Sequence, residues 1–514
     1  MVDVVESMAE EQLMSAIQDK PGNTSYSTIF KTTFLFGFVQ VFNIIVKVVI
    51  NKIVALFLGT SGMGVIGLYN NSIHLLRTGA GLGISQSAVR DVSEAYASGN
   101  KQRLSRIISL TNNVIYLTSL LGIALTIILS PLLSNWSFGD NSHIIAYIWL
   151  SIVVGLNILS EGQLAILKGV RHLKSLAKAS LYGSIVGLLS AVPFYFFFRE
   201  KGIIPSLFVT SFAALFFSNK FVSEVKYDKV KLSIKELFKE SSSMVKMGFS
   251  LMIVSFIASL FDLAISAYIS NYGGLSEVGV FHAGATIVTS YFGVIITSMS
   301  TDYYPRISAV HTDNSCLQDE LNKQSETGLI ISFPLVVLFV FFSSLFIELL
   351  YSQEFIRANE YTDYAMIGTV IIIVSNCMGM ILLAKQASKI YLTSIIIQRL
   401  IVFGIYVLFY NLWGIKGIGF AYVFRGLLDF VVTGMILWKF YTIRLNRKTV
   451  MLLLLVLSVT ILMIFVRSSS NILFKYSLGS MAIACSSIFT LMYMKKNMNL
   501  DVIGVLFRKI KRSN

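Results

Sequence analysis

The sequence predicts an all-α polytopic membrane protein, with about fourteen transmembrane helices forming two six-helix lobes and two further C-terminal helices. Three observations carry that prediction: the composition, the recurrence of long apolar runs, and an internal repeat. Apolar side chains make up 55% of the 514 residues, while Asp, Glu, Lys and Arg together make up 13%, about half the charged share of a soluble protein. A chain so composed cannot cover itself with polar surface in water.

A bilayer-spanning helix needs roughly 20 predominantly apolar residues. Runs of that kind lie at 32–58, 63–89, 107–131, 142–166, 176–198, 202–221, 247–270, 276–302, 327–351, 361–384, 391–411, 415–438, 449–467 and 472–494; they are called spans 1 to 14 below. They are too long for buried strands, and an outer-membrane barrel would show alternating ten-residue segments instead. The chain then divides into an acidic segment 1–27, an N-lobe 28–222 holding spans 1–6, a basic connector 223–246, a C-lobe 247–442 holding spans 7–12, spans 13 and 14 within 443–494, and a basic tail 495–514. The first segment, with Asp3, Glu6, Glu10, Glu11 and Asp19, lacks the basic start of a signal peptide.

The repeat supports the two lobes. Gly59-Thr-Ser-Gly-Met-Gly-Val65 matches Gly274-Leu-Ser-Glu-Val-Gly-Val280, Lys201-Gly-Ile203 matches Lys416-Gly-Ile418, and Val92-Ser93 matches Ile307-Ser308, all at an offset of 215. Because the offset contains an even number of spans, the halves run parallel, related by an axis along the membrane normal. Lobes of that kind usually enclose a cavity and rock about it, which points to a transporter.

The net charge is +15, from 42 Lys and Arg against 27 Asp and Glu. Positive charge concentrates in cytoplasmic loops, and 31 of the cations fall at the N-terminus, after even-numbered spans or in the tail. The opposite side holds Arg199, Lys201, Arg357, Lys416, Arg467 and Lys475. Both termini are therefore expected in the cytoplasm. The connector and tail mix basic and apolar residues, as a surface that binds anionic membrane lipids does; nucleic acid is not an expected partner.

Five cations remain inside spans: Lys47, Lys52, Arg77, Arg399 and Arg425. Charge at that depth is expensive and usually faces a cavity. At helical spacing Asn43, Lys47 and Asn51 share one face of span 1, with Lys52 beside it, and Asn70, His74 and Arg77 share one face of span 2. Arg425 and Asp429 stand at i and i+4 in span 12, a spacing that permits an ion pair. Against the five cations stand Glu161, Asp262 and Asp429, so the membrane interior is positive and suits an anionic substrate. The repeat maps Lys47 onto Asp262, the candidate for coupling to a proton or sodium ion, with Asp429 as a second.

Other chemistry is not indicated. Cys316, Cys377 and Cys485 are scattered without CxxC or Cys/His clustering, so neither disulfide framework nor metal site is implied. There is no phosphate-binding loop, no HExxH and no catalytic set. No cofactor is expected, and the driving force would be the membrane potential or an ion gradient.

Lys52-Ile-Val-Ala-Leu-Phe-Leu-Gly59, Gly62-Met-Gly-Val-Ile-Gly67, Leu167-Lys-Gly-Val-Arg171, Tyr304-Pro-Arg-Ile-Ser308 and Lys416-Gly-Ile-Gly-Phe-Ala-Tyr422 resemble the polysaccharide-repeat-unit exporters of the multidrug/oligosaccharidyl-lipid/polysaccharide superfamily, which includes the O-antigen flippases. Thr60 stands where that family often has Pro. The resemblance covers roughly residues 30–440. It implies a bacterial inner-membrane flippase that carries an undecaprenyl-pyrophosphate-linked oligosaccharide to the periplasmic leaflet by alternating access, beside a polysaccharide polymerase or assembly complex. Spans 1, 2, 7 and 8 would line the cavity. Arg77 and Lys47 would hold the pyrophosphate, with Arg425, Lys52 and Arg399 as secondary contacts, and Asn43, Asn51, Asn70 and His74 would meet sugar hydroxyls. The alternatives are a cation-coupled drug antiporter of the same superfamily and, from another class, a polytopic glycosyltransferase or polymerase.

Overall fold

A computed structural model describes the backbone of residues 26–497 and the side chains of residues 41–496 except 234, 301 and 388. Among the described residues every regular element is helical, as lipid demands of a chain that must satisfy its own backbone groups. Eleven runs are long and apolar enough to cross a bilayer. Three of these, Val41–Ala80, Leu173–Val222 and Lys389–Tyr441, reach 40, 50 and 53 residues, about twice one crossing. Each is broken near its middle, at Gly59, at the short turn Arg199–Gly202 and at Gly414. Counting each as two crossings gives the fourteen spans expected.

The backbone repeats where the sequence does. Gly59 (φ 66°, ψ −162°) and Gly274 (φ 85°, ψ 171°) make the same turn before spans 2 and 8. Arg199 (φ 51°, ψ −131°) and Gly414 (φ 59°, ψ −140°) make the same turn before spans 6 and 12. Arg171 and Gln386, again 215 apart, both take positive φ after spans 4 and 10. Backbone geometry thus carries the repeat at positions where residue identity has been lost. Arg199 holds a conformation that favours glycine, at a cost of order 1–3 kcal/mol. Arg199→Gly is expected to raise stability by about 1 kcal/mol, the cost of glycine's own freedom included; a higher midpoint of thermal unfolding in detergent checks it.

Two compact units emerge from the packing. The first comprises the chain up to Ile50 with Gly79–Ile127 and Ile148–Met252; the second comprises Asn51–Thr78, Ile128–Tyr147 and the chain from Ile253 on. In the first, the basic ends of the spans are held by an apolar core of Val92, Ile108, Ile166, Leu167, Val170, Leu176 and Phe221. Val92 belongs to a helix, Ile84–Ala97, whose start falls within span 2 as read from sequence. The chain breaks over 81–83, with Leu82 (φ 49°) and Gly83 (φ 64°) in left-handed conformation, and this helix buries Ile84, Ala88, Val92 and Ala95 along one face. Hydropathy alone does not separate two helices joined by small residues. Elsewhere helices outrun their apolar cores: Ile234–Gly273 begins inside the basic connector, and Lys101–Phe138 exceeds span 3 at both ends.

In the second unit, spans 2 and 8 cross where their backbones nearly touch. A Cβ on Gly64 would lie 2.1 Å from the Leu275 carbonyl oxygen, and one on Gly279 would lie 1.8 Å from that of Thr60. Gly64 and Gly279 are repeat partners, so the crossing is symmetric. The hydroxyls of Thr60 and Ser276, 2.8 Å apart, close it. Small residues serve membrane helices in this way because lipid offers no hydrophobic drive for association.

Spans 13 and 14 pack on span 9 and are tied down by buried charge. Arg467, counted from sequence among the cations of the outer side at the end of span 13, is half-buried there and forms a forked ion pair with Asp363 and a hydrogen bond to Ser343. At the other end Glu326 accepts from Tyr493 (2.5 Å) and Thr449 (3.1 Å) and pairs with Lys448 (3.1 Å). Leaving a buried charge without its partner costs about 3–5 kcal/mol. Arg467→Ala is therefore expected to lower stability by that order, seen as a lower unfolding midpoint in detergent, with Asp363→Asn less severe. Span 9 itself starts at an Asp313 cap that accepts from Ser315 (2.8 Å) and Cys316 (3.2 Å) backbone N–H groups. The Ser315 and Cys316 hydrogen bonds hold this carboxyl down at about 2, so the charged cap persists until pH falls toward that value.

The acidic N-terminal segment and the basic tail lie outside the described residues, apart from residues 26–27 and 495–497.

Candidate functional site

Span 2 presents a polar edge to spans 7 and 8 within the second unit. Asn70 and His74 are accessible and Arg77 is half-buried on the face that the helical period assigns them. The His74 ring nitrogen Nδ1 and the Ser259 hydroxyl lie 2.5 Å apart, so this face meets protein rather than lipid. Arg77, almost one turn further on, is close enough to act electrostatically on His74. Asn71, absent from the sequence-derived set, donates to the Asp262 carbonyl (3.3 Å) and the Ser266 hydroxyl (2.9 Å). Ser266 in turn lies 3.3 Å from His282 Nε2. Gly67 makes room for that imidazole, since a Cβ there would fall 2.2 Å from its Cδ2. Asn71 stands 100° around the helix from Asn70, and only contact with span 7 distinguishes it from an ordinary polar neighbour.

Two of the candidate cations meet two of the candidate acids inside the C-lobe. Asp262 on span 7 interacts electrostatically with Arg399 and Arg425, and Arg399 with Asp429. Arg425 Nε lies 3.9 Å from the Asp429 carboxylate, an ion pair too long for a hydrogen bond. The guanidinium groups also lie over aromatic rings, Arg425 over Tyr422 at 5.4 Å and Arg399 over Phe261 at 5.7 Å. Tyr406 and Tyr422 complete the electrostatic surroundings of Arg425; tyrosine was not among the residues chosen from sequence. Asp262 keeps accessible surface. Arg425 Nε is buried with no acceptor. A buried N–H without a partner costs about 1–3 kcal/mol, so this donor is suited to an anionic oxygen or a water molecule.

The remaining candidates are placed differently. Asn51 donates to the Tyr291 hydroxyl at 3.4 Å, beside a π-helical turn, Ile287–Phe292, in span 8; such turns cluster at functional sites. Lys52 donates to the Glu348 carbonyl at 2.9 Å. That carbonyl lies among the last four of the helix ending at Leu350, where no intrahelical donor is left and a cation is favoured. Lys52 thus caps span 9 in this structure. Asn43 belongs to the first unit, where it donates to Ser180 (3.2 Å) and accepts from Ser184 (3.0 Å) on span 5. Lys47 lies in the same unit with accessible surface. Arg399 and Arg425 stand against Asp262 and Asp429; the other three cations of the membrane interior, Lys47, Lys52 and Arg77, lie on spans 1 and 2, and the remaining acid, Glu161, on span 4. Among the described residues no group of three or more His, Cys, Asp or Glu could hold a metal ion.

Comparison with known proteins agrees with this architecture. A family model described as "Polysaccharide biosynthesis protein" matches residues 108–360. The lipid III flippase of Escherichia coli (strain K12) is 23% identical over 367 residues, which are 68% of this chain and 83% of that protein, and the Shigella flexneri lipid III flippase matches equally. Among solved structures, a lipid II flippase in an inward closed conformation superposes with a TM-score of 0.66 at 15% identity, covering 91% of this chain and 99% of the other. An inward-facing multidrug resistance transporter of the MATE family gives 0.61 at 15% identity, covering 77% of this chain and 94% of the other. The chain thus shares its fold with a lipid II flippase and a multidrug transporter, is similar in sequence to polysaccharide-biosynthesis proteins and lipid III flippases, and is a multi-pass membrane protein by its apolar helices.

Proposed function

We propose that this protein is a flippase that carries a glycan linked to undecaprenyl pyrophosphate, an O-antigen unit or a related polysaccharide repeat, from the cytoplasmic to the periplasmic leaflet of a bacterial inner membrane. The observation that carries this reading is the location of Lys47, Lys52 and Arg77 on spans 1 and 2, with Arg77 on a polar face that meets protein. A pyrophosphate must cross a low-dielectric layer, and a guanidinium offers forked donors matched to its oxygens. In this reading Arg77 holds the pyrophosphate, Lys47 adds a second charge, and the unsatisfied Arg425 Nε offers a donor from the C-lobe. Asn70, His74 and Asn71 present amide and imidazole groups suited to sugar hydroxyls. The lipid III flippases that resemble the chain and the "Polysaccharide biosynthesis protein" match support the substrate class.

Both termini face the cytoplasm in this account, and the lobes alternate between inward- and outward-open states. Asp262, set between two arginines, is a candidate for ion coupling, with Asp429. A cation-exporting relative would be expected to free its carboxylates for the substrate, whereas both carboxylates here face guanidinium groups. Moving one net negative charge outward is favoured by about 2.3 kcal/mol per 100 mV of inside-negative potential. Imposing that potential is expected to speed transfer by up to about 50-fold. The reading is tested with membrane vesicles that lack a polymerase and receive a labelled lipid-linked oligosaccharide. Transfer between leaflets without chain growth supports it; chain growth would point to a polymerase, and cation-coupled drug efflux to an antiporter.

A further inference from the structure

A cavity lined by side chains of the first unit lies at the basic ends of spans 3, 4 and 6, where the connector folds back over them. Its volume is about 770 Å³, in the range of small-molecule sites. The connector runs without helix over 226–233, pinned by hydrogen bonds from the Asp228 and Val230 N–H groups to the Ser105 and Ser109 hydroxyls, each 3.0 Å. With these two N–H groups facing span 3, Lys229 and Lys231, two residues apart on extended chain, fall on a common side and line the cavity. A polar chain forms part of its wall: Gln163 donates to Asn112 (3.0 Å), and Asn112 donates to the Tyr227 hydroxyl (3.4 Å). Asn113, Asn219 and Tyr116 also line it. Tyr116 is 55% exposed, as aromatic side chains at a membrane interface are.

The lining contains two lysines, four side-chain amides and two tyrosines, and no carboxylate. Amides and phenols satisfy hydroxyls, and lysines attract phosphate as point charges. We propose that this cavity binds the headgroup of a lipid that carries both phosphate and hydroxyl groups, entered from the leaflet on the basic side. None of its lining residues is on span 2, and binding there does not require that the ligand be transported. The chemistry fits two sources, a phosphoglycerol lipid of the bilayer or the lipid-linked glycan waiting at the surface.

Native mass spectrometry of the full purified chain in detergent tests this with three probes: phosphatidylglycerol, phosphatidylcholine and an undecaprenyl-pyrophosphate-linked monosaccharide. The wild type is expected to bind at least one of the first and third probes at least tenfold more tightly than phosphatidylcholine, and the tighter one identifies the source. Lys229→Ala with Lys231→Ala should weaken that binding about tenfold, and Asn113→Phe, which fills the cavity at constant charge, should abolish it. Lys226→Ala with Lys235→Ala removes the same charge from the connector outside the cavity and should change binding less than twofold. Equal binding of all three probes, an unaffected Asn113→Phe variant, or equal losses in the two lysine pairs would overturn the proposal.

Discussion

Arg77→Ala lowers the affinity for an undecaprenyl-pyrophosphate-linked glycan by roughly 10- to 100-fold on this account, as measured by ligand-induced thermal stabilisation of the purified protein. A hydrogen bond to a charged group contributes about 1.5–3 kcal/mol, and tenfold in affinity corresponds to about 1.4 kcal/mol. Arg77→Lys keeps the charge and loses the fork, so it should recover only part of the loss. Lys47→Ala, added to Arg77→Ala, deepens it further. Neither change should alter affinity for an uncharged glycan, because the phosphate oxygens are what these residues hold. Equal affinity of wild type and the double variant for the pyrophosphate-linked glycan would remove the anion-cavity reading.

Gly279→Leu is expected to abolish transfer between leaflets while leaving the protein folded. Its Cβ would have to occupy space 1.8 Å from the Thr60 carbonyl oxygen, and backbone cannot yield as the end of a flexible side chain does. Spans 2 and 8 would then be unable to approach as they do here, and the state in which they cross would be lost. By the symmetry of the repeat, Gly64→Leu, aimed at the Leu275 carbonyl, should do the same. Cysteine pairs across the crossing report it directly: Thr60→Cys with Ser276→Cys should cross-link in the wild-type background, where the hydroxyls lie 2.8 Å apart, and fail to do so with Gly279→Leu.

Much of this architecture is legible in the sequence because a bilayer forces it. Twenty apolar residues must be helical to cross, and Gly59 and Gly274 stand out as repeat partners since only small residues suit their turns. Arg199 and Gly414 hide the same kinship, for one carries a side chain where the other has none, and only dihedral angles reveal it. The helix Ile84–Ala97 is hidden for a related reason, its left-handed break at Leu82 falling inside an unbroken apolar pattern.

The site is legible in charge but not in partnership. Charge inside a span is rare enough to single out Arg399, Arg425, Asp262 and Asp429 one by one, yet only tertiary packing sets them against one another. Lys52 is equally conspicuous in sequence, and the reason it faces the end of span 9 lies 296 residues away in the Glu348 carbonyl. Serine and asparagine are common in membrane helices, so Ser259, Ser266 and Asn71 carry no signal until span 2 is seen against span 7. Arg467 looks like one more cation of the outer side because Asp363, its partner, is distant in sequence.

The most direct test is transfer in proteoliposomes that contain this protein alone. A fluorescent undecaprenyl-pyrophosphate-linked oligosaccharide is placed in both leaflets, and its exposure to a membrane-impermeant glycosidase is followed over time. The account predicts that the wild-type protein brings the protected fraction to the outer surface at constant glycan length. The Arg77→Ala, Lys47→Ala variant should do so at a rate lower by about two orders of magnitude. Protected glycan that stays protected with the wild-type protein, or that emerges equally fast with the variant, would contradict it.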